Sequence, residues 1–112
     1  FRVDVLDGHT VSARVKLKQR ATLADVFAAM KSYPSLNLYS SPKDFIAVCD
    51  EPSRPQPRLD RDNGKGMTIT VGRIFPDTIF DYRFVSLSHN TVRGAAGAAI
   101  LNAELLVDKK IL

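Results

Sequence analysis

Val11-Ser12-Ala13-Arg14-Val15-Lys16-Leu17 alternates apolar and polar side chains without a break, the period-two pattern of a β-strand with one buried face. Upstream, Phe1-Arg2-Val3-Asp4-Val5-Leu6 keeps a similar rhythm and reads as an earlier stretch of strand, parted from Val11 by Asp7-Gly8. Asp-Gly supplies a positive φ, so it marks either a tight turn or a bulge. Downstream, Phe45 to Cys49 is a continuous apolar run and predicts a short buried strand. Met67 to Val71 alternates again, with Gly72 marking a bulge, and Ile79 to Leu87 follows with Phe80, Tyr82 and Phe84 on one face. A mixed or antiparallel sheet results.

Two helices complete the pattern. Thr22 opens a segment in which Leu23, Val26, Phe27 and Met30 recur at spacings of three and four, with Asp25 placed to complete a capping box and Pro34 to stop it. The last helix, Thr91 to Lys110, has Ser88 or Asn90 as its cap and is apolar on nearly all sides through Ala95, Ala98, Ile100, Leu101, Leu105, Leu106 and Ile111. Burial between two layers is expected, and a sheet domain this small cannot supply both. Gly94 and Gly97 near its start each cost about 1 kcal/mol against Ala, which calls for close approach of a backbone or a ligand. Glu51 to Gly66, with Pro52, Pro55 and Pro57, is a long loop whose interleaved charges predict tethering by ion pairs. The fold class expected is α+β: a mixed or antiparallel sheet, one flanking helix and a long buried C-terminal helix, as a fragment of a two-domain α/β enzyme.

Composition bounds the function. At 112 residues and net charge +4, the chain is one domain at most, and a complete two-domain enzyme is excluded. No apolar run approaches the roughly 18–20 residues of a membrane span, so no membrane partner is expected. The single Cys49 forms no internal disulfide, which points to a reducing compartment, with cytoplasm as the expectation. The start at Phe1, inside an alternating pattern and with no targeting features, leads us to expect a piece of something longer. The pI near 9.5 raises nucleic acid as a partner. Against it, Arg54 to Lys65 is offset by Asp50, Glu51, Asp60 and Asp62, and Arg14, Lys16, Lys18 and Arg20 alternate with apolar residues as a solvated sheet face would. A non-catalytic basic interaction module stays open as the reading from another class.

No zinc-type Cys–His spacing, Walker loop or nucleophile elbow occurs, and no metal is expected. Gly64-Lys65-Gly66 and Gly94-Ala95-Ala96-Gly97 are not dinucleotide fingerprints. Cys49, in an apolar strand with no neighbouring His, reads as core rather than as an activated thiolate. What remains is Arg2 with His9 around the Asp-Gly turn, and Ser88-His89-Asn90-Thr91 before an apolar helix. Alone, each reads as structural.

Taken in order, these stretches acquire a pattern. Arg2-Val3 with Gly8-His9-Thr10 resembles the second half of the active-site signature of the aspartate-semialdehyde dehydrogenases. Arg54-Pro55-Gln56-Pro57-Arg58-Leu59-Asp60-Arg61, Val71-Gly72-Arg73-Ile74 and Ser88-His89-Asn90-Thr91-Val92-Arg93-Gly94-Ala95-Ala96-Gly97 resemble the fungal and archaeal branch of that family. The resemblance covers essentially the whole chain and places it in the family's C-terminal part. It implies residues 1–87 as part of the substrate-binding and oligomerisation domain, and 88–112 as a helix returning to an NADP-binding domain outside this sequence.

The implied activity is NADP-dependent reductive dephosphorylation of aspartyl phosphate to aspartate semialdehyde, on the route to lysine, methionine and threonine, in a homo-oligomer, dimer or tetramer. The family's nucleophilic cysteine falls upstream of Phe1, so the fragment alone is expected to be inert. Arg2 would clamp the substrate's α-carboxylate with its planar fork, and His9 would act as acid and base. Both need a shared wall, which a bend at Asp7-Gly8 would provide. Asn90 matches a position that reaches the nicotinamide or substrate, and reads equally as an N-cap. Gly94 and Gly97 would let the helix pack closely on the cofactor domain, which puts Gly94 with Asn90 on the cofactor's side, and His89 reads as structural. Malonyl-CoA reductase, similar to the same branch, is the enzymatic alternative.

Overall fold

The computed structural model describes residues 1–111; Leu112, the last residue of the expected 88–112 segment, lies outside them. The chain runs β1 (His9–Val15), α1 (Leu23–Lys31), β2 (Ile46–Cys49), a single turn α2 (Pro57–Asp60), a 3₁₀ turn (Asn63–Gly66), β3 (Ile69–Pro76), β4 (Tyr82–Ser88), a π turn (Val92–Ala96) and α3 (Gly97–Asp108). The four strands form one mixed sheet in the order β1-β4-β3-β2. β4 pairs antiparallel with β1 and β3, and β2 pairs parallel with β3. A parallel neighbour needs a crossover, and the long 51–66 connection between β2 and β3 provides it.

α1 lies against β2 and β3, capped as its sequence predicts: Thr22 Oγ1 accepts from the Asp25 amide at 3.2 Å while Asp25 Oδ2 accepts from Thr22 N at 2.7 Å. The β3 bulge sits between Gly72 and Phe75, where Arg73 takes φ 52°. The core is small, centred on Met67, Val71, Ile74, Tyr82, Leu87 and Leu101. No helix among the described residues is long and apolar enough to cross a membrane.

Three expectations need correction. Residues 1–8 form no strand: β4 ends at Ser88 opposite His9 and the chain then turns into a helix, so nothing is left for earlier residues to pair with. The last predicted strand starts at Tyr82 rather than Ile79, since Asp77 and Asp81 close the β3–β4 connection by accepting from the Ile79 and Leu17 amides. The terminal helix is shorter than predicted and opens as a π turn. As expected of so small a sheet domain, this chain covers one side of the helix only: Leu101 faces the core while Ile100 and Val107 are exposed. Met67 against Gly97, the Arg93 guanidinium over the Phe45 ring at 4.4 Å, and Glu104 accepting from Ser40 N and Oγ hold its inner side.

The 51–66 connection is an ordered layer on the sheet. Asp60, 1% exposed, accepts from Arg54 Nε at 2.8 Å, from Arg54 Nη2 and from the Gln56 amide at 2.7 Å. Asn63 Nδ2 reaches Asp60 and bonds Thr70 Oγ1 on β3 at 3.0 Å. Gly72 admits the approach, since a Cβ there would stand 2.5 Å from the Arg54 carbonyl oxygen. Burial pushes the Asp60 carboxyl up, but the hydrogen bonds from Arg54, Gln56 and Asn63 outweigh it and hold the group below the usual carboxylate range.

Asp60→Ala is expected to lower stability by about 1–3 kcal/mol in urea unfolding, because it leaves the Gln56 amide and the Asn63 side chain without their buried acceptor. Because the folded carboxyl is depressed, its stabilisation is complete above the unfolded value of about 3.9 and is lost as pH falls through the folded one. The Ala variant should therefore show a flatter acid limb in a stability–pH profile; an unchanged limb would count against the network.

Candidate functional site

Three residues singled out from sequence, His9, Asn90 and Gly94, lie at one corner of the sheet, the end of β1 and β4 where β4 hands over to the helix. His9 opens β1 opposite Ser88. One residue earlier, Gly8 takes φ 110° and donates its amide to Asn90 Oδ1 at 2.9 Å. A Cβ at Gly8 would lie 3.2 Å from Pro57 Cβ and 3.4 Å from Leu87 Cδ1, so this bend is pressed between α2 and β4. The Phe1 nitrogen donates to the Thr10 carbonyl at 2.6 Å and closes residues 1–10 into a loop that carries Arg2.

Arg2, His9, Asn90 and Gly94 are all exposed. Phe1, Val3 and Val5 turn toward Thr10, Pro57 and Val85 on one face of the sheet, whereas His9, adjacent to Thr10 in a strand, is on the other. No hydrogen bond or ion pair joins Arg2 to His9 among the described residues. The link between the N-terminal loop and the helix start is instead the Asn90–Gly8 hydrogen bond, across 82 positions of sequence.

That bond changes the reading of Asn90. It does not cap the helix, because its side chain is turned to Gly8; the Val92 amide finds an acceptor in His89 Nδ1, at 3.4 Å. The Gly94 amide donates to the His89 carbonyl at 2.9 Å and Ala96 to Thr91 at 3.2 Å, the i to i+5 spacing of a π turn. The two glycines part company: a side chain at Gly97 would collide with Met67, while one at Gly94 would meet only the His89 carbonyl, 3.6 Å away. Gly94 thus leaves an open face beside Asn90, whose Nδ2 hydrogens remain available to an incoming acceptor.

Cys49 is half-buried in β2, and burial together with the Asp60 carboxylate pushes its thiol up, so it is no activated nucleophile. Among the described residues no group of three or more His, Cys, Asp or Glu side chains could hold a metal ion. Of the basic row, Arg14 pairs with Asp77 at 3.0 Å, while Lys16, Lys18 and Arg20 lie exposed past the end of β1. Sequence reasoning missed the contact of His89 Nε2 with Asp62 Oδ1, at 3.8 Å. Its only signal was a histidine directly before the proposed cap.

Comparison with known proteins shows which family the chain resembles over nearly its whole length. The family model "Semialdehyde dehydrogenase, dimerisation domain" matches residues 1–93. The aspartate-semialdehyde dehydrogenase of Archaeoglobus fulgidus is 51% identical over 111 residues, covering 99% of this chain and 32% of that protein. That of Schizosaccharomyces pombe is 51% identical over 118 residues, with 99% and 33% covered. The crystal structure of the Candida albicans aspartate-semialdehyde dehydrogenase with NADP superposes with a TM-score of 0.85 at 44% identity, over 99% of this chain and 33% of that one. The chain thus spans about a third of the length of these relatives.

Asn90→Ala should loosen the N-terminal loop without unfolding the sheet. Losing one hydrogen bond of about 1 kcal/mol corresponds to roughly fivefold faster exchange of the Gly8 amide. Residue-resolved hydrogen exchange reads this directly, and an unchanged Gly8 rate would show that the contact does not hold the loop.

Proposed function

This chain belongs to the semialdehyde dehydrogenase family through its dimerisation domain, and on that premise we propose that it forms the C-terminal third of an NADP-dependent aspartate-semialdehyde dehydrogenase. The reaction is the reductive dephosphorylation of aspartyl phosphate to aspartate semialdehyde, run reversibly through a thioester on a cysteine elsewhere in the protein, in lysine, methionine and threonine biosynthesis. The observation that carries the reading is the Asn90–Gly8 hydrogen bond, which draws the loop of Arg2 and His9 and the helix start of Asn90 and Gly94 onto one exposed corner. The relatives described above are all aspartate-semialdehyde dehydrogenases, which favours aspartyl phosphate over malonyl-CoA. We place the enzyme in the cytoplasm as a homo-oligomer built through this domain. We assign residues 1–87 to the substrate and oligomerisation domain and the 88–112 segment, through its helix α3, to packing on the NADP-binding domain.

The chemistry of the corner follows from its donors. The Arg2 guanidinium presents two parallel N–H groups to the α-carboxylate, which orients the distal carbonyl. The His9 imidazole accepts the proton of the attacking thiol, then exchanges a proton with the tetrahedral oxygen as the carbonyl is lost and reformed. Asn90 donates through Nδ2 while Oδ1 stays on Gly8, so the amide cannot flip. Gly94 leaves the space a flat ring needs, so these residues fit one edge of a nicotinamide. NADP, when bound, supplies the hydride exchange.

In the full-length enzyme, Arg2→Lys is expected to raise KM for aspartate semialdehyde by about 10-fold or more with kcat changed less, since one charged bidentate bond is lost. His9→Asn is expected to lower kcat by about 10²- to 10⁴-fold with KM nearly kept. The 112-residue segment alone should show no turnover. Small, equal effects of both substitutions in a folded, active enzyme would refute these roles.

A further inference from the structure

One buried group at this corner has no part in the proposed reaction. His89 is 8% exposed, and each side of it is used. Nδ1 lies 3.4 Å from the Val92 amide and 3.2 Å from Thr91 Oγ1. Its carbonyl receives the Gly94 amide. The edge of its ring lies where a Cβ at Gly66 would come within 3.2 Å of Cδ2, so the 3₁₀ turn closes directly on the imidazole. Nε2 faces Asp62. A backbone N–H can only donate, so Nδ1 is the acceptor and the neutral ring carries its proton on Nε2, the Asp62 side.

We propose that His89 is the positioning residue of this site, fixing the turn from Asn90 to Val92 and, through Asn90, the bend at Gly8 that presents His9. The role rests on the dehydrogenase reading given above. The path runs from His89 Nδ1 to the Val92 amide, from the intervening Asn90 to Gly8, and from Gly8 to the next residue, His9, with Asp62 facing Nε2 at 3.8 Å. His89 touches neither substrate nor cofactor in this scheme. Removing its acceptor frees the Val92 amide, lets the turn relax and moves the Asn90 amide and the His9 ring together. A residue that only filled space would be replaced by any side chain of similar volume, whereas this role requires an acceptor at the place of Nδ1.

The test uses the full-length enzyme. His89→Leu keeps bulk and removes the acceptor, and is expected to lower kcat toward the roughly 100-fold loss that a displacement of about 1 Å produces. KM for aspartate semialdehyde, set by Arg2, should stay within about threefold of wild type by this reading. His89→Asn, whose Oδ1 can stand where Nδ1 does, should recover most of the loss. The double variant His89→Leu with Asn90→Ala should be no slower than Asn90→Ala alone, because one acts through the other. A folded Leu variant with wild-type kcat, an Asn variant as slow as Leu, or additive losses in the double would each overturn the role. Should His89→Leu fail to fold, Asn against Gln decides: Gln places its amide near Nε2 instead, so Asn must exceed Gln in kcat and in protection of the Gly8 amide, and the reverse order rejects the proposal. The exchange of Gly8 separates the two readings, since it reports positioning even if the enzyme does not turn over aspartate semialdehyde.

Discussion

The Asp60 carboxylate is the point on which the corner depends. A carboxylate this buried is tolerated only when its oxygens are filled, and here Arg54, the Gln56 amide and Asn63 fill them. The consequence reaches beyond one ion pair. By folding residues 54–63 around itself, Asp60 fixes α2 and the residue after it, whose Pro57 and Arg61 press on Gly8, and the 3₁₀ turn, whose Gly66 presses on His89. The floor of the site is therefore a loop, and a loop can serve as a floor because its charges are satisfied internally.

The sheet supplies the walls. β4 at its centre sets the register of both neighbours, with His9 opposite Ser88 on one side and Thr70 opposite Leu87 on the other. The bulge after Gly72 turns Arg73 outward, where its guanidinium reaches the Ser53 carbonyl at 3.0 Å and pins the start of the same loop. Sheet and loop are thus fastened at Gly72, Arg73 and Thr70, all on β3. The strand whose backbone allows close approach also carries the polar anchors.

Much of this was legible in the sequence, for physical reasons that can be named. Period-two alternation recorded β1 because half-buried Ala13 and Val15 alternate with exposed Ser12 and Arg14, and it recorded β3 although Thr70 and Val71 bury both of its faces; Thr22 with Asp25 recorded the start of α1 because capping is local. The ion pairs of the 51–66 loop were legible as charge density, but not their assignment, since which acid is buried depends on where β3 lies. Phe1 to Leu6 misled because alternation describes a strand's faces and says nothing of whether a partner is available. Asn90 misled in a related way: a residue-type preference for caps was overridden by a partner 82 positions away. The capping role passed to His89, a residue that local rules do not favour. The π turn left no trace in composition, for its cause is the pair of amides drawn to the His89 and Thr91 carbonyls.

Exposure limits what this corner can do on its own. An Arg fork and an imidazole held open to water bind weakly, because high dielectric screens the charge and water competes for every donor. Their chemistry becomes strong only when a second surface excludes solvent. α3 points the same way: it stands beyond the residues matched by the family model, buries Leu101 inward and turns Ile100 and Val107 outward. A helix with one satisfied and one unsatisfied apolar side leaves a face for a second surface to cover. In the enzyme we propose, the two surfaces divide the work. This one fixes donors in place through Asp60, His89 and Asn90, and the facing surface brings a thiol and a hydride carrier to donors that are already ordered.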